Sequence, residues 1–485
     1  LRVSLKPPDR KGVAKMVKNI YEDFLRLAGF EEDEMSEYLP EWRKASAKVG
    51  LTEDDIKFAT EHWIPTYFDT TLEGVRKSIG SFMKEFIDLT KASEYKEKGA
   101  KIVYGILPAS LHYYYALKLT APDKVFVAFP DVFLVSGLNA FFHKLNPYLE
   151  EAERSGISYG CRHCALNKTR YAARRCGLIP SPDISWIWGF ICDEGPKTDE
   201  FIHLYHDPEW KTYITRIPHD QPLGTVEDEV AWRVEYLAGQ MKDGFQAVQR
   251  ELGIKVPDET ITEVQKFWHR YATKIAELNQ LIAADPQPVG AVSIRIFSEP
   301  LGAPFNTGVE SMENALDITL KELRQRVDRK EGILPKGTPK LMSCVIPANL
   351  PWLVKMFEDN GVGLTYNQAF MPTKKQLQPL TYEDPYMATA EAWLRGGSCG
   401  NPGYEAAQIC EKIETYKPDG MIFGFMDFDR WLGSDHRLLA RMVEERTGLP
   451  VFYIEGDEWE DRDYSPEALR TRIESICEII KMRKG

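Results

Sequence analysis

Long apolar runs are missing from this chain, and no segment reaches the roughly eighteen uninterrupted apolar residues of a membrane span. Leu1 to Arg10 carry charges and two prolines where an export signal needs an apolar core, so a cytoplasmic location is expected. A basic excess is missing too. The net charge is -12, and neutralising phosphates takes clustered Lys and Arg, so neither a nucleic acid nor a membrane is an expected partner. A local basic pocket or a helix N-terminus would still suit the phosphates of a coenzyme A ester. No GxGxxG follows a strand with an acidic residue at the proper distance, and no GxxxxGK[ST] occurs, so NAD and ATP sites are not expected here. Any ATP dependence would come from a partner. There is no GxSxG elbow.

Cysteine is scarce, with eight residues in 485, and disulfide stapling is neither expected nor needed in a chain of this kind. Four of the eight (Cys161, Cys164, Cys176 and Cys192) nevertheless fall close together, and converging thiolates suit zinc or iron–sulfur chemistry. The remaining composition, 43% hydrophobic and 28% charged, is that of a globular protein. The length predicts two or three domains.

Along the chain, apolar positions recur at helical spacing in Val17-Ile20-Tyr21-Phe24-Leu25 and in Val75-Ile79-Phe82-Phe86-Ile87, predicting a helical N-terminal arm or cap over 1–100. From Lys101 the pattern changes to strand, helix, strand, with Lys101-Ile-Val-Tyr, a Tyr- and Leu-rich helix, and Lys124-Val-Phe-Val-Ala-Phe. Ile184-Ser-Trp-Ile-Trp-Gly-Phe-Ile-Cys192 reads as a further strand that delivers Cys192 to its carboxyl end, the edge where open α/β sheets bind ligands. A first α/β domain is thus expected over 101–220 and an amphipathic helical connector over 221–290. Beyond it, Leu341–Ile346, Gly361–Tyr366, Gly420–Phe425 and Leu449–Glu455 read as strands alternating with helices, a second domain over 291–485. The fold class expected is α/β, with two Rossmann- or flavodoxin-like doubly wound parallel-sheet domains. No internal sequence repeat stands out.

Gly160-Cys-Arg-His-Cys164 is the strongest local motif, but a single CxxC serves zinc, redox and cluster chemistry alike. His163 or His206 could complete a zinc site. Cys344, inside an apolar strand, and Cys477, at Ile473-Ile476-Ile480 spacing, read as core. Cys399 lies in the turn-rich Arg395-Gly-Gly-Ser-Cys-Gly-Asn-Pro-Gly403, where a thiolate and backbone amides could face a ligand; Cys410 follows one helical stretch later. Phe425-Met-Asp-Phe-Asp-Arg430 reads either as a helix-capping connection or as a site loop presenting Asp427 or Asp429. The aromatics Trp186, Trp188, Phe190, Phe425, Phe428 and Trp431 sit near the proposed edges, but aromatics at strand positions belong to cores more often than to pockets.

Leu178-Ile-Pro-Ser-Pro-Asp183, the strand after it and Cys192-Asp-Glu-Gly-Pro-Lys197 resemble the cluster-binding region of the 2-hydroxyacyl-CoA dehydratase and benzoyl-CoA reductase family. Further matches run through most of Lys101 to Gly485. The resemblance implies a [4Fe-4S] cluster whose ligands here would be Cys164, with Cys161 as the alternative, and Cys192. The family's usual third cysteine follows the strand matching Gly420–Phe425, and here that place reads Asp427-Phe-Asp429. Asp429 is then an oxygen ligand, or Cys399 or Cys410 reaches the site, or the cluster is lost and the subunit is a scaffold. The resemblance implies low-potential one-electron (ketyl-radical) chemistry on an acyl-CoA thioester, either 2-hydroxyacyl-CoA dehydration or aromatic ring reduction. It also implies a homologous second subunit and an ATP-hydrolysing iron–sulfur activator as partners. A zinc-stabilised α/β binding protein is the alternative outside the family.

Overall fold

The structure is a computed structural model that describes residues 19–157, 163–189, 192, 194–217, 231–347, 349–367, 370–396, 402–427, 429–462 and 464–484. Cys161, Phe190, Cys399 and Phe428 lie outside the described residues. Among the described residues eight strands form two sheets: β1 (Lys101–Tyr104), β2 (Val125–Ala128), β3 (Ile184–Gly189) and β4 (Thr212–Arg216), then β5 (Lys340–Cys344), β6 (Gly363–Asn367), β7 (Gly420–Phe425) and β8 (Val451–Glu455). Every pairing is parallel, and the orders are β2-β1-β3-β4 and β6-β5-β7-β8. The expected α/β class with two parallel-sheet domains is borne out.

The two sheets share one topology, and the same device starts the third strand of each. Asp183, preceded by Pro182, accepts the Ile102 amide at 2.9 Å while its own amide bonds the Ile102 carbonyl at 2.8 Å. Asp419, preceded by Pro418, accepts the Lys340 amide and returns its own amide to the Lys340 carbonyl, both at 2.8 Å. A proline fixes the approach, and the carboxylate occupies an amide that the end of a parallel ladder leaves open. The segments Pro182-Asp-Ile-Ser-Trp-Ile-Trp-Gly189 and Pro418-Asp-Gly-Met-Ile-Phe-Gly424 are therefore a repeat, visible only once the strands are aligned.

Helices fill the space between and around the sheets. Glu73–Leu89 is buried along most of its length, packed against Glu310–Asp328 and Pro130–Gly137, so it is part of the core. The connector forms two long helices, Ala231–Leu252 and Asp258–Ile282. Cys344 and Cys477 are buried core residues, as their apolar neighbours require. Gly424 in β7 has no room for a side chain, because an added Cβ would stand 1.9 Å from the Val345 carbonyl oxygen in the turn after β5.

Candidate functional site

The carboxyl ends of the two sheets face a common cavity of about 500 Å³. Its wall takes Ile106 to His112 after β1, Asp131 after β2, Cys192 and Glu194 after β3, Val345 and Ile346 after β5, Met426 and Asp429 after β7, and Glu458 and Trp459 after β8. This is where doubly wound sheets bind ligands, at the strand ends where connections leave in opposite directions. The volume suits a small organic ligand.

Cys164 stands at the N-cap of helix Ala165–Arg175, and Cys192 two residues before helix Glu194–Tyr205. Both line the cavity, and each sulfur lies at a helix start, where unpaired amides point outward. Burial pushes the Cys192 thiol up to about 12, opposed by the amides of Gly195 and Glu194 and reinforced by Asp429 and Glu194. Burial raises Cys164 as well, together with the charges of Asp457, Cys192 and Glu194, while the Asn167 amide works against them. The charged side chains acting most strongly on both sulfurs are thus acidic. Such a set of two thiols and nearby carboxylates favours a cation or a metal cluster, which would release the protons and offset the repulsion.

Asp429 is buried and lines the same cavity, whereas Asp427 is exposed. One Asp429 oxygen accepts the Leu432 amide at 2.7 Å, so both readings of this loop meet in one side chain: it caps the turn at Arg430–Asp435 and faces the site. Strict alignment of the two Pro-Asp repeats pairs Cys192 with Phe428, and it is Asp429, one position further on, that lines the cavity.

Beneath the thiols lies a fully buried ion network. Arg170, on the helix that follows Cys164, donates to Asp199 at 2.7 Å and to Asp131 at 3.1 Å, and to Ser185 at 2.8 Å. Asp199 belongs to the helix Glu194–Tyr205 that follows Cys192, so this contact ties together the two helices that follow the cysteines. Burial, eased by Arg170, leaves the Asp131 carboxyl at about 6.

Glu458 escaped the sequence reading. It lines the cavity, and burial pushes its carboxyl to about 8 against the pull of Arg295, so it carries a proton at neutral pH. The rule that singled out Cys192, a polar residue just past a strand's carboxyl end, would also have marked Asp457 and Glu458 after β8. The Arg170 network could not be found that way, because its members are scattered along the chain from Asp131 to Asp199 with no shared motif.

The structure brings together Cys164, Cys192 and Asp429 among the expected site residues; Cys161 and Cys399, also expected there, lie outside the described residues. Cys410 is half-buried on helix Pro402–Tyr416 and is absent from the cavity wall. His163 turns to Thr198 at 3.1 Å, and His206 packs against the Tyr171 ring. Among the described residues no three His, Cys, Asp or Glu side chains converge on a single-ion site, which gives zinc no support there. Cys164, Cys192 and Asp429 do line one cavity, and thiolates with a carboxylate are donors of the kind that would hold iron.

Residues 119–480 match the family described as 2-hydroxyglutaryl-CoA dehydratase, D-component. The chain belongs to this family. One of the benzoyl-CoA reductase subunits of Thauera aromatica is 21% identical over 449 residues, covering 86% of this chain and 98% of that protein. The (R)-phenyllactyl-CoA dehydratase alpha subunit of Clostridium sporogenes is 22% identical over 352 residues, covering 69% and 80%. The (R)-2-hydroxyisocaproyl-CoA dehydratase alpha subunit of Clostridioides difficile is 20% identical over 343 residues, covering 69% and 81%. The family resemblance read from the Pro-Asp and Cys192 segments is borne out. Its members here are dehydratase and reductase subunits, and among the described residues no helix is long and apolar enough to cross a membrane.

Proposed function

We propose that this chain is a cluster-bearing subunit of an oxygen-sensitive, cytoplasmic enzyme acting on an acyl-CoA thioester, by 2-hydroxyacyl-CoA dehydration or by aromatic ring reduction. The observation that carries this reading is the convergence of Cys164, Cys192 and Asp429 on one buried cavity between the sheets. Cys164 and Cys192 would hold a [4Fe-4S] cluster, with Asp429 as an oxygen ligand in place of the family's usual third cysteine. Low-potential one-electron transfer to the thioester is the chemistry such a group supplies when bound.

The chain's own part is burial, orientation and proton placement. Helix-start amides at Glu194 and Gly195 favour the thiolate form of Cys192. Arg170 and Asp199 fix the spacing of the two cysteine helices. The apolar wall keeps water from the reacting carbon, and the protonated Glu458 can hydrogen-bond a substrate oxygen. The partner roles belong to a homologous subunit, in keeping with the subunit names of the relatives, and to an ATP-hydrolysing iron–sulfur activator.

A scaffold subunit without a cluster is the second reading, favoured by the engagement of Asp429 as a turn cap. Anaerobic reconstitution with iron and sulfide separates the two. The proposal expects broad visible absorption in the parent chain that Cys164→Ala and Cys192→Ala each remove. Equal absorption in the parent and both variants would refute the ligand assignment, and a parent chain that stays colourless would leave the scaffold.

A further inference from the structure

The charge and shape of the cavity wall restrict what kind of acyl group can enter it. Five carboxyl side chains and two guanidiniums stand among the described lining residues. Both guanidiniums are already engaged, Arg295 with Glu299 at 2.6 Å and Arg395 with Glu391 at 2.6 Å and with the Gln378 carbonyl at 2.9 Å. Two histidines also line it, His269 and His112, and burial drives the pKa of His112 down to about 3, so that ring adds no charge. The remaining wall is rich in aromatic surface, including the indoles of Trp268, Trp393 and Trp431. Trp393 is held in place by stacking on Trp188, with ring centroids 5.6 Å apart and planes 17° from parallel. Trp268 is braced edge-on by Tyr115 and Tyr271. An acyl chain ending in a carboxylate would leave water for a wall whose two described guanidiniums are both committed to other carboxylates, a costly transfer without a new partner. An apolar chain would meet rigid aromatic faces that lose little freedom on binding.

We infer that the acyl group accepted by this cavity is uncharged and apolar, with the indoles of Trp268 and Trp393 forming its walls. This specificity rests on the thioester reading for the identity of the ligand, while the charge argument concerns the acyl end alone. The test is binding to the full chain, followed by calorimetry or tryptophan fluorescence, of benzoyl-CoA, glutaryl-CoA and coenzyme A, and in a second series of benzoate and glutarate. Benzoyl-CoA is expected to bind about tenfold tighter than glutaryl-CoA or more. Trp393→Ala should erase that preference and Trp393→Phe should keep most of it, the second variant guarding against a folding defect. Equal or tighter binding of glutaryl-CoA overturns the inference and leaves the thioester reading standing. Preference for benzoate over glutarate with no affinity for any coenzyme A compound upholds the inference and removes the thioester reading. Failure of every compound in both series to bind overturns both.

Discussion

Removing the carboxylate of Asp199 would leave the Arg170 guanidinium with Asp131 as its one carboxylate partner, where no water can replace the lost one. Both side chains are fully buried, and breaking such a pair by deleting one member costs about 3–5 kcal/mol, mostly through the charge left behind. Asp199→Ala is expected to lower the urea midpoint accordingly, and Asp199→Asn by less, because the amide oxygen can still accept from Arg170. Unfolding by denaturant of the two variants beside the parent checks this. Glu85 makes a different prediction at the same scale. It accepts the amides of Asn306 and Thr307 at 2.7 and 2.6 Å, and burial, with Asp88 nearby, pushes its carboxyl from 4.5 to about 8. The folded state therefore holds this proton more tightly than the unfolded chain does. Its contribution to stability is complete below about pH 4.5 and is lost as pH rises through about 8. The denaturation midpoint should fall as pH rises from about 4.5 to about 8, and Glu85→Gln should flatten that slope. At this scale the sequence showed the cysteines, because thiols near one another are rare in a chain that needs no disulfides. It did not show Arg170 or Glu85, whose importance comes only from what the fold places beside them.

Strand β7 illustrates what holds at the level of elements. Gly424 passes so close to the turn at Val345 that a methyl group would overlap the carbonyl oxygen, and that turn is itself part of the cavity wall. Gly424→Ala is expected to cost about 1–3 kcal/mol by overpacking and to shift β7 away from β5, seen as a lower melting temperature. Seven of the eight strands were legible as short apolar runs ending in turn residues. The eighth, β4, was not. It is an edge strand, and within Thr212–Arg216 only Thr215 is buried, so packing demands no apolar pattern there. The short helix at Ala291–Arg295 was likewise unassignable from Pro288 to Phe297, because it is buried on most sides and shows no polar face. The Pro-Asp repeat was present in the sequence but hidden, since its two copies share the device that starts the strand and little of the strand itself.

Taken as a whole, the molecule is closed by the segment from Asp457 to Arg462, which leaves the second sheet and docks on the first half. Asp457 accepts the Ala165 amide at 2.7 Å, Trp459 offers its carbonyl to Asn139, Glu460 pairs with Lys168 at 3.4 Å, and Arg462 pairs with Glu153 at 2.8 Å. The segment thus caps the very helix that begins at Cys164 while presenting Glu458 to the cavity. Asp457→Ala removes this cap and should cost about 1 kcal/mol. Its mark would be faster hydrogen exchange in the first turn of Ala165–Arg175, with the second sheet's interior unchanged. Sequence could not announce such a clasp, since Asp457 and Ala165 are 292 positions apart.

The central claim is that Cys164 and Cys192 hold an iron–sulfur cluster in the cavity between the two sheets. Iron and acid-labile sulfide analysis of the chain, purified without oxygen together with its partner subunit, tests it most directly. The account predicts about four irons and four sulfides per chain, falling steeply in Cys192→Ala. An intact complex whose chain carries no iron would contradict it.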